Sequence, residues 1–198
     1  METDLSLNLA RTAVLAMDCQ NGIVSMYAKD AKAFLNKASN LLRAARDVNM
    51  PIIHVQVGSR PGLPEVSSRN KLFAAIKSSA QHQQLFQGAA GAIHPTLGPE
   101  PNDIVVTKHR ISAFTGTDLE MILRAKEIET SALFGIATRG VVLSTLLDAC
   151  DADYNVIVIA DCCEDIDQEL HEVLLKSLCP KRGEVRTGAE FIRETAGG

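Results

Sequence analysis

Three positions in the chain have the residue types and settings from which an acid–base site could be built. Asp18 closes the apolar run TAVLAMD, Lys108 sits in VVTKHR, and residue 141 lies inside FGIATRGVVLST, residues 134–145. An aspartate and a lysine that end separate strands can form an ion pair in a cleft, where burial raises the carboxyl pKa and the ammonium lowers it. The third stretch reads as a strand end, a sharp turn and a helix start. Amides of a first helical turn lower the pKa of a thiol and stabilise a developing oxyanion, so such turns often carry a nucleophile. Position 141 is valine, which can attack nothing. The constellation is an acid and a lysine without a nucleophile.

These residues are positioned by a repeating pattern. Short, nearly continuous apolar runs rich in β-branched residues occur at 12–18, 51–57, 103–109, 130–136 and 155–161, with a weaker one at 184–187. Continuous hydrophobicity suits strands covered on both faces, hence a parallel sheet with helices on either side. Between them, 31–49 and 71–86 carry helical periodicity, TDLEMILRAKEI opens with a Thr117/Glu120 capping box, and Asp167 is placed to N-cap DQELHEVLLKSL. The fold class expected is α/β: a Rossmann-like three-layer α/β/α sandwich with a mostly parallel sheet of about six strands. In such sheets ligands collect beyond the carboxyl ends of the strands, where Asp18, Gln56, Gly58-Ser59-Arg60, Lys108 and Arg139-Gly140 fall. The expectation is that Asp18 and Lys108 arrive on neighbouring strands, with the turn amides opposite them.

The 198 residues are 46% hydrophobic and 22% charged, enough for one core and a single domain over 1–198. A net charge of -4, with basic residues scattered, argues against nucleic acid. The acidic N-terminus lacks a signal-peptide pattern and no apolar run nears the roughly 20 residues that cross a bilayer, so no membrane contact and a cytoplasmic setting are expected. Five cysteines, at 19, 150, 162, 163 and 179, show no CxxC spacing and read as reduced thiols, with Cys162 and Cys163 packed in the core. Five dispersed histidines, without HxH or HExxH, give no metal site. No cofactor is expected.

The succession MDCQNG, VVTKHRISAFTGTDLEMIL, GIATRGVVLSTLLDAC and VIVIADCCED resembles the isochorismatase-like hydrolase superfamily, which includes nicotinamidases and related cysteine hydrolases. The resemblance runs from about Thr12 to Cys163, and its K-x-x-x-S-A-F segment and GIAT turn are specific. It implies a homodimer or larger homo-oligomer, a small-molecule substrate, and a cis peptide between Ile136 and Ala137. The family's acid falls on Asp18, its lysine on Lys108, and its nucleophilic cysteine on Val141. The isochorismatase branch also does without that cysteine: a carboxylic acid protonates the enol carbon of a vinyl ether, and water adds to the resulting oxocarbenium ion. By this resemblance Gln56 matches a glutamine of isochorismatase, although VQVGSRPGLPEVSSRN departs from that enzyme's pocket segment. A nicotinamidase-type metal site lacks its histidines, with only His54 and the distant His82 available.

Arg60, Arg69, Arg110 and Arg139 flank these elements and suit an anionic substrate, with Gln56, Arg60, Arg139 and Gly140 as the binding residues. The leading expectation is hydrolysis of a small anionic molecule by an Asp/Lys pair without a covalent intermediate. Two alternatives stay open: a catalytically inactive binding or assembly protein, and covalent catalysis from a displaced thiol.

Overall fold

Apolar segments in the computed structural model pair into one six-stranded sheet of order β3-β2-β1-β4-β5-β6. The strands are β1 (Thr12–Met17), β2 (Ile52–Val57), β3 (Ile104–Lys108), β4 (Thr130–Ile136), β5 (Asn155–Glu164) and β6 (Glu184–Arg186). Every pairing is parallel. The structure describes residues 7–197; positions 1–6 and 198 of the domain expected over 1–198 lie outside the described residues. Every residue of β1 and of β4 is buried, which a sheet achieves only when both faces are covered.

The helices that cover it are α1 (Asn21–Tyr27), α2 (Ala31–Asp47), α3 (Lys71–Ser78), α4 (Ala80–Gln84), α5 (Gly88–Gly91), α6 (Leu119–Ala125), α7 (Leu143–Asp151), α8 (Gln168–Val173) and α9 (Gly188–Gly197). Along α2 the buried residues are Phe34, Ala38, Leu41, Leu42 and Ala45, a stripe at helical spacing that packs with α9 against β5. Asp30 caps α2 by accepting from the Ala33 amide at 2.9 Å. Asp167 caps α8 in the same way, through the Leu170 amide at 3.1 Å.

Three local expectations are corrected. The helical stretch 71–86 breaks at Ser79, whose extended backbone ends α3 and whose hydroxyl accepts from the His82 amide at 3.2 Å to start α4. A serine that can bond its own neighbourhood competes with helix continuation. The Thr117/Glu120 capping box does not form: the Thr117 hydroxyl donates to the Ala113 carbonyl at 2.6 Å and accepts from Leu119, while Glu120 turns outward to Arg124. Finally, β5 runs past Asp161 to Glu164, with a register shift against β4 between Leu133 and Gly135. Cys162 and Cys163 are therefore strand residues inside the core.

Strand order reverses between β1 and β4, and a crevice opens at such a reversal beyond the carboxyl ends. Gly135 makes the approach of these two strands possible. Its φ is +146°, and a Cβ there would meet the Met17 carbonyl oxygen at 2.0 Å.

Candidate active site

The first residue after β1 is Asp18, which takes a left-handed backbone conformation with φ of 55°. Aspartate tolerates that region better than most side chains. Its amide still donates to the Val55 carbonyl at 2.8 Å, so the chain turns only once it has left the sheet. Lys108 ends β3, and its Nζ lies 2.9 Å from Asp18 Oδ2 and 3.0 Å from the Arg110 carbonyl oxygen that accepts from it. The two residues do not arrive on neighbouring strands as expected, because β2 lies between β1 and β3. The long lysine side chain bridges that gap. Both groups are nearly sealed, Asp18 at 5% exposure and Lys108 at 1%.

Asp18 Oδ1 is buried and has no hydrogen-bond partner among the described residues. Burial raises the Asp18 pKa above its ordinary 3.8, and the Lys108 ammonium only partly opposes that. A carboxyl so placed holds a proton more readily than an exposed aspartate does, and has one oxygen free to deliver it.

The pair borders a cavity of about 230 Å³ that Val141, Ile136, Ala137, Arg139 and Gly140 also line. The Ile136–Ala137 peptide is cis. A wide turn over Thr138–Val142 follows, closed by the Val142 amide to the Ala137 carbonyl at 3.4 Å, and leads into α7. Val141 is 2% exposed. The Gly140 amide also bonds Ala137, at 3.0 Å, and the Arg139 amide donates to Asp165 Oδ2 at 2.9 Å. These three amides thus point within the turn or to Asp165.

Gln56 and Arg60 fall outside the cavity lining. Gln56 donates to Thr107 Oγ1 at 3.1 Å at the surface, and the Arg60 guanidinium lies 3.3 Å from His109 Nε2. Arg139 lines the cavity while facing Asp165 and Asp167, at 3.4 and 3.6 Å. Arg110 also lines it.

One positioning residue has no signal in the spacing of charged groups. Buried Gln20 accepts from the Val57 amide at 2.8 Å and donates to the Val57 carbonyl at 3.0 Å and to the Gly91 carbonyl at 2.6 Å. It ties the end of β2 to the end of α5. Only its place two residues after the strand-end aspartate could have drawn attention to it.

None of the thiols serves the cavity. Burial pushes Cys163 up to about 12 and raises Cys19 and Cys162 further, against the thiolate that nucleophilic attack requires. Cys150, on α7, donates to the Arg182 carbonyl at 3.0 Å. Among the described residues no group of three or more His, Cys, Asp or Glu could hold a metal ion. A larger cavity of about 480 Å³ opens beside Pro51 and Asp103, which precede β2 and β3. There Arg46 pairs with Glu100 and Asp103, and His54 Nε2 lies 3.1 Å from Asp103, while Arg46 Nε and His54 Nδ1 are buried without a hydrogen-bond partner among the described residues. The cavity at Asp18 and Lys108 is therefore the candidate site.

A doubly wound parallel sheet with a small cavity at its switch point defines the class: an α/β protein of the architecture that holds small ligands in that crevice. The isochorismatase domain model matches residues 12–190, and the chain belongs to the isochorismatase family. It is 31% identical to the uncharacterized isochorismatase family protein YwoC of Bacillus subtilis, over 98% of this chain and 99% of that protein. It is 30% identical to the ureidoacrylate amidohydrolase RutB of Azorhizobium caulinodans, over 97% of this chain and 93% of that one. In fold it is similar to a cysteine hydrolase from Pseudomonas syringae pv. phaseolicola 1448A, with a TM-score of 0.86, 23% identity, and 97% and 95% of the two chains covered. The family is one of hydrolases. No helix among the described residues is long and apolar enough to cross a membrane.

Proposed function

We propose that the chain hydrolyses a small anionic molecule with Asp18 as proton donor and Lys108 as its counter-charge, and that it belongs to a branch without the nucleophilic cysteine. The observation that carries this reading is the buried Asp18–Lys108 pair, with one carboxyl oxygen lacking a hydrogen-bond partner among the described residues, at a cavity that Val141 also lines. With a vinyl ether as substrate, the protonated Asp18 carboxyl gives its proton to the enol carbon. Water adds to the oxocarbenium ion and returns a proton to the carboxylate. The hemiketal then collapses to a ketone and an alcohol, so one water is consumed and Asp18 is restored. While Asp18 is ionised, the ammonium 2.9 Å away compensates its charge.

The relative named for ureidoacrylate acts on a carboxylate, which supports the anionic class. Its amide chemistry is a poorer guide, because valine at 141 offers no group for acyl transfer. A homo-oligomer is part of the reading, supported by exposed Ile166, Leu170 and Val173 near one another on and beside α8, and light scattering showing only monomer would remove it. Free, unbridged cysteines support a cytoplasmic setting.

The test is turnover of a panel of small carboxylates bearing vinyl ether, ester or amide bonds. Asp18→Asn keeps the shape but has no proton to give, so it should lose about 10²-fold or more in kcat while retaining binding. Wild-type turnover in Asp18→Asn would sink the mechanism. Binding without turnover in the wild-type protein would favour the inactive binding protein instead.

A further inference from the structure

We propose that Arg110 anchors a substrate carboxylate, and that the site takes a small monocarboxylate with an apolar body. The inference rests on the cavity at Asp18 being the substrate site. Three cations line that cavity: Lys108, Arg110 and Arg139. Lys108 is held by Asp18, and Arg139 faces Asp165 and Asp167. Among the described residues, no carboxylate lies within 4.0 Å of the Arg110 guanidinium. Glu65, the acid on the adjoining loop, gives Arg110 only its backbone carbonyl. Its carboxylate accepts from the Arg60 amide at 3.0 Å and faces His109 at 3.8 Å.

The guanidinium is nevertheless fixed in place. Nη1 donates to the His109 carbonyl at 2.6 Å, Nη2 donates to the Glu65 carbonyl at 3.0 Å, and the carbon between them lies over the Phe73 ring, 5.7 Å from its centroid. Carbonyls and a ring face orient the charge without neutralising it. Arginine stays protonated throughout the accessible pH range, and its remaining N–H groups suit a carboxylate. An oriented, part-buried and uncompensated cation is a prepared site for one anion.

The rest of the wall limits what else can enter. Ile23, Val57, Phe73, Ile76, Phe86 and Ile136 make most of the remaining wall hydrocarbon, and Tyr27 adds a neutral hydroxyl, so a second anionic group would have only Arg139, already facing Asp165 and Asp167, to meet. At about 230 Å³ the cavity falls below the roughly 300–1,000 Å³ of pockets for drug-sized ligands. Small size, a single carboxylate and an apolar remainder follow. Arg110 would set specificity at one end of the substrate while Asp18 works at the other.

Benzoate and benzamide, one charged and one neutral with the same apolar body, are the probes, read by calorimetric titration of the whole chain. Benzoate should bind at least about tenfold more tightly than benzamide, and Arg110→Met should weaken benzoate by about ten- to a hundredfold while leaving benzamide within a fewfold. Arg110→Lys, which keeps the charge and loses the fork, should fall between wild type and Arg110→Met, and it guards against misfolding of the methionine variant. Benzoate that binds no better than benzamide, that is not detected at all, or that is unaffected by Arg110→Met and Arg110→Lys would overturn the assignment. Asp18→Asn separates this from the proton-donor reading: it should retain or strengthen benzoate binding, because it leaves Lys108 without its carboxylate. Its turnover, by contrast, tests Asp18 alone.

Discussion

Replacing Lys108 with methionine isolates the energetics of the buried pair. The substitution keeps much of the apolar stem but removes the ammonium 2.9 Å from Asp18, leaving a carboxyl that is 5% exposed with no counter-charge. At neutral pH the folded variant must either bury a lone carboxylate or protonate it. From the ordinary value of 3.8, protonation at pH 7 spans about three pKa units at about 1.36 kcal/mol each. That bounds the loss at roughly 4 kcal/mol, within the roughly 3–5 kcal/mol typical when one member of a buried pair is removed. The sign of the pH dependence follows from the raised pKa. The folded state binds the proton more tightly than the unfolded chain, so stability from this group falls as pH rises through the window above 3.8. Lys108→Met widens that window. Its deficit against wild type, read from urea midpoints by circular dichroism, should stay below about 4 kcal/mol at pH 7, because the raised pKa already costs wild type part of that span, and should shrink to about 1 kcal/mol or less near pH 4.5. Asp18→Asn combined with Lys108→Met should be far less pH-dependent than Lys108→Met alone. An equal deficit at both pH values would mean that lost packing, and not an uncompensated carboxyl, explains the destabilisation.

Gly135→Ala should be strongly destabilising, by about 3 kcal/mol or more, because a Cβ 2.0 Å from the Met17 carbonyl must push β4 from β1 just before Asp18. A urea midpoint near wild type would contradict that packing. In the native protein at pH 8 a thiol reagent should modify at most Cys150, with all five cysteines reacting only after unfolding, since Cys19, Cys162, Cys163 and Cys179 are buried. Rapid native labelling of a second thiol, followed by loss of turnover, would revive covalent catalysis.

Much of the fold was legible because parallel strands buried on both faces must be continuously apolar, and 12–18, 51–57 and 130–136 have that character. What escaped were features decided by tertiary partners. Ser79 could have continued the helix of 71–86, but bonding the His82 amide won. The Thr117 hydroxyl could have capped toward Glu120, but the Ala113 carbonyl took it. The end of β5 was hidden for a related reason: ADCCED carries charge, yet Asp161 meets Lys37 and the Gly188 amide while Cys162 and Cys163 are both buried in the core.

The site was legible in its residue types and less so in its geometry. Asp18, Lys108 and Val141 do meet at one cavity, but β2 separates the two charged residues, and only the reach of a lysine side chain joins them. The arginines show why the rest required three dimensions. Four of them flank the site in sequence, and as residue types they are equivalent. Arg139 finds its carboxylates at Asp165 and Asp167, more than two dozen positions along the chain, through the fold that brings β5 beside β4. Arg60 turns to His109 at the surface. Arg110 receives carbonyls and an aromatic face, which fix its direction while leaving its charge available. Available charge depends on partners that the fold supplies or withholds, so a sequence can enumerate the cations of a site without revealing which one is free to bind a substrate.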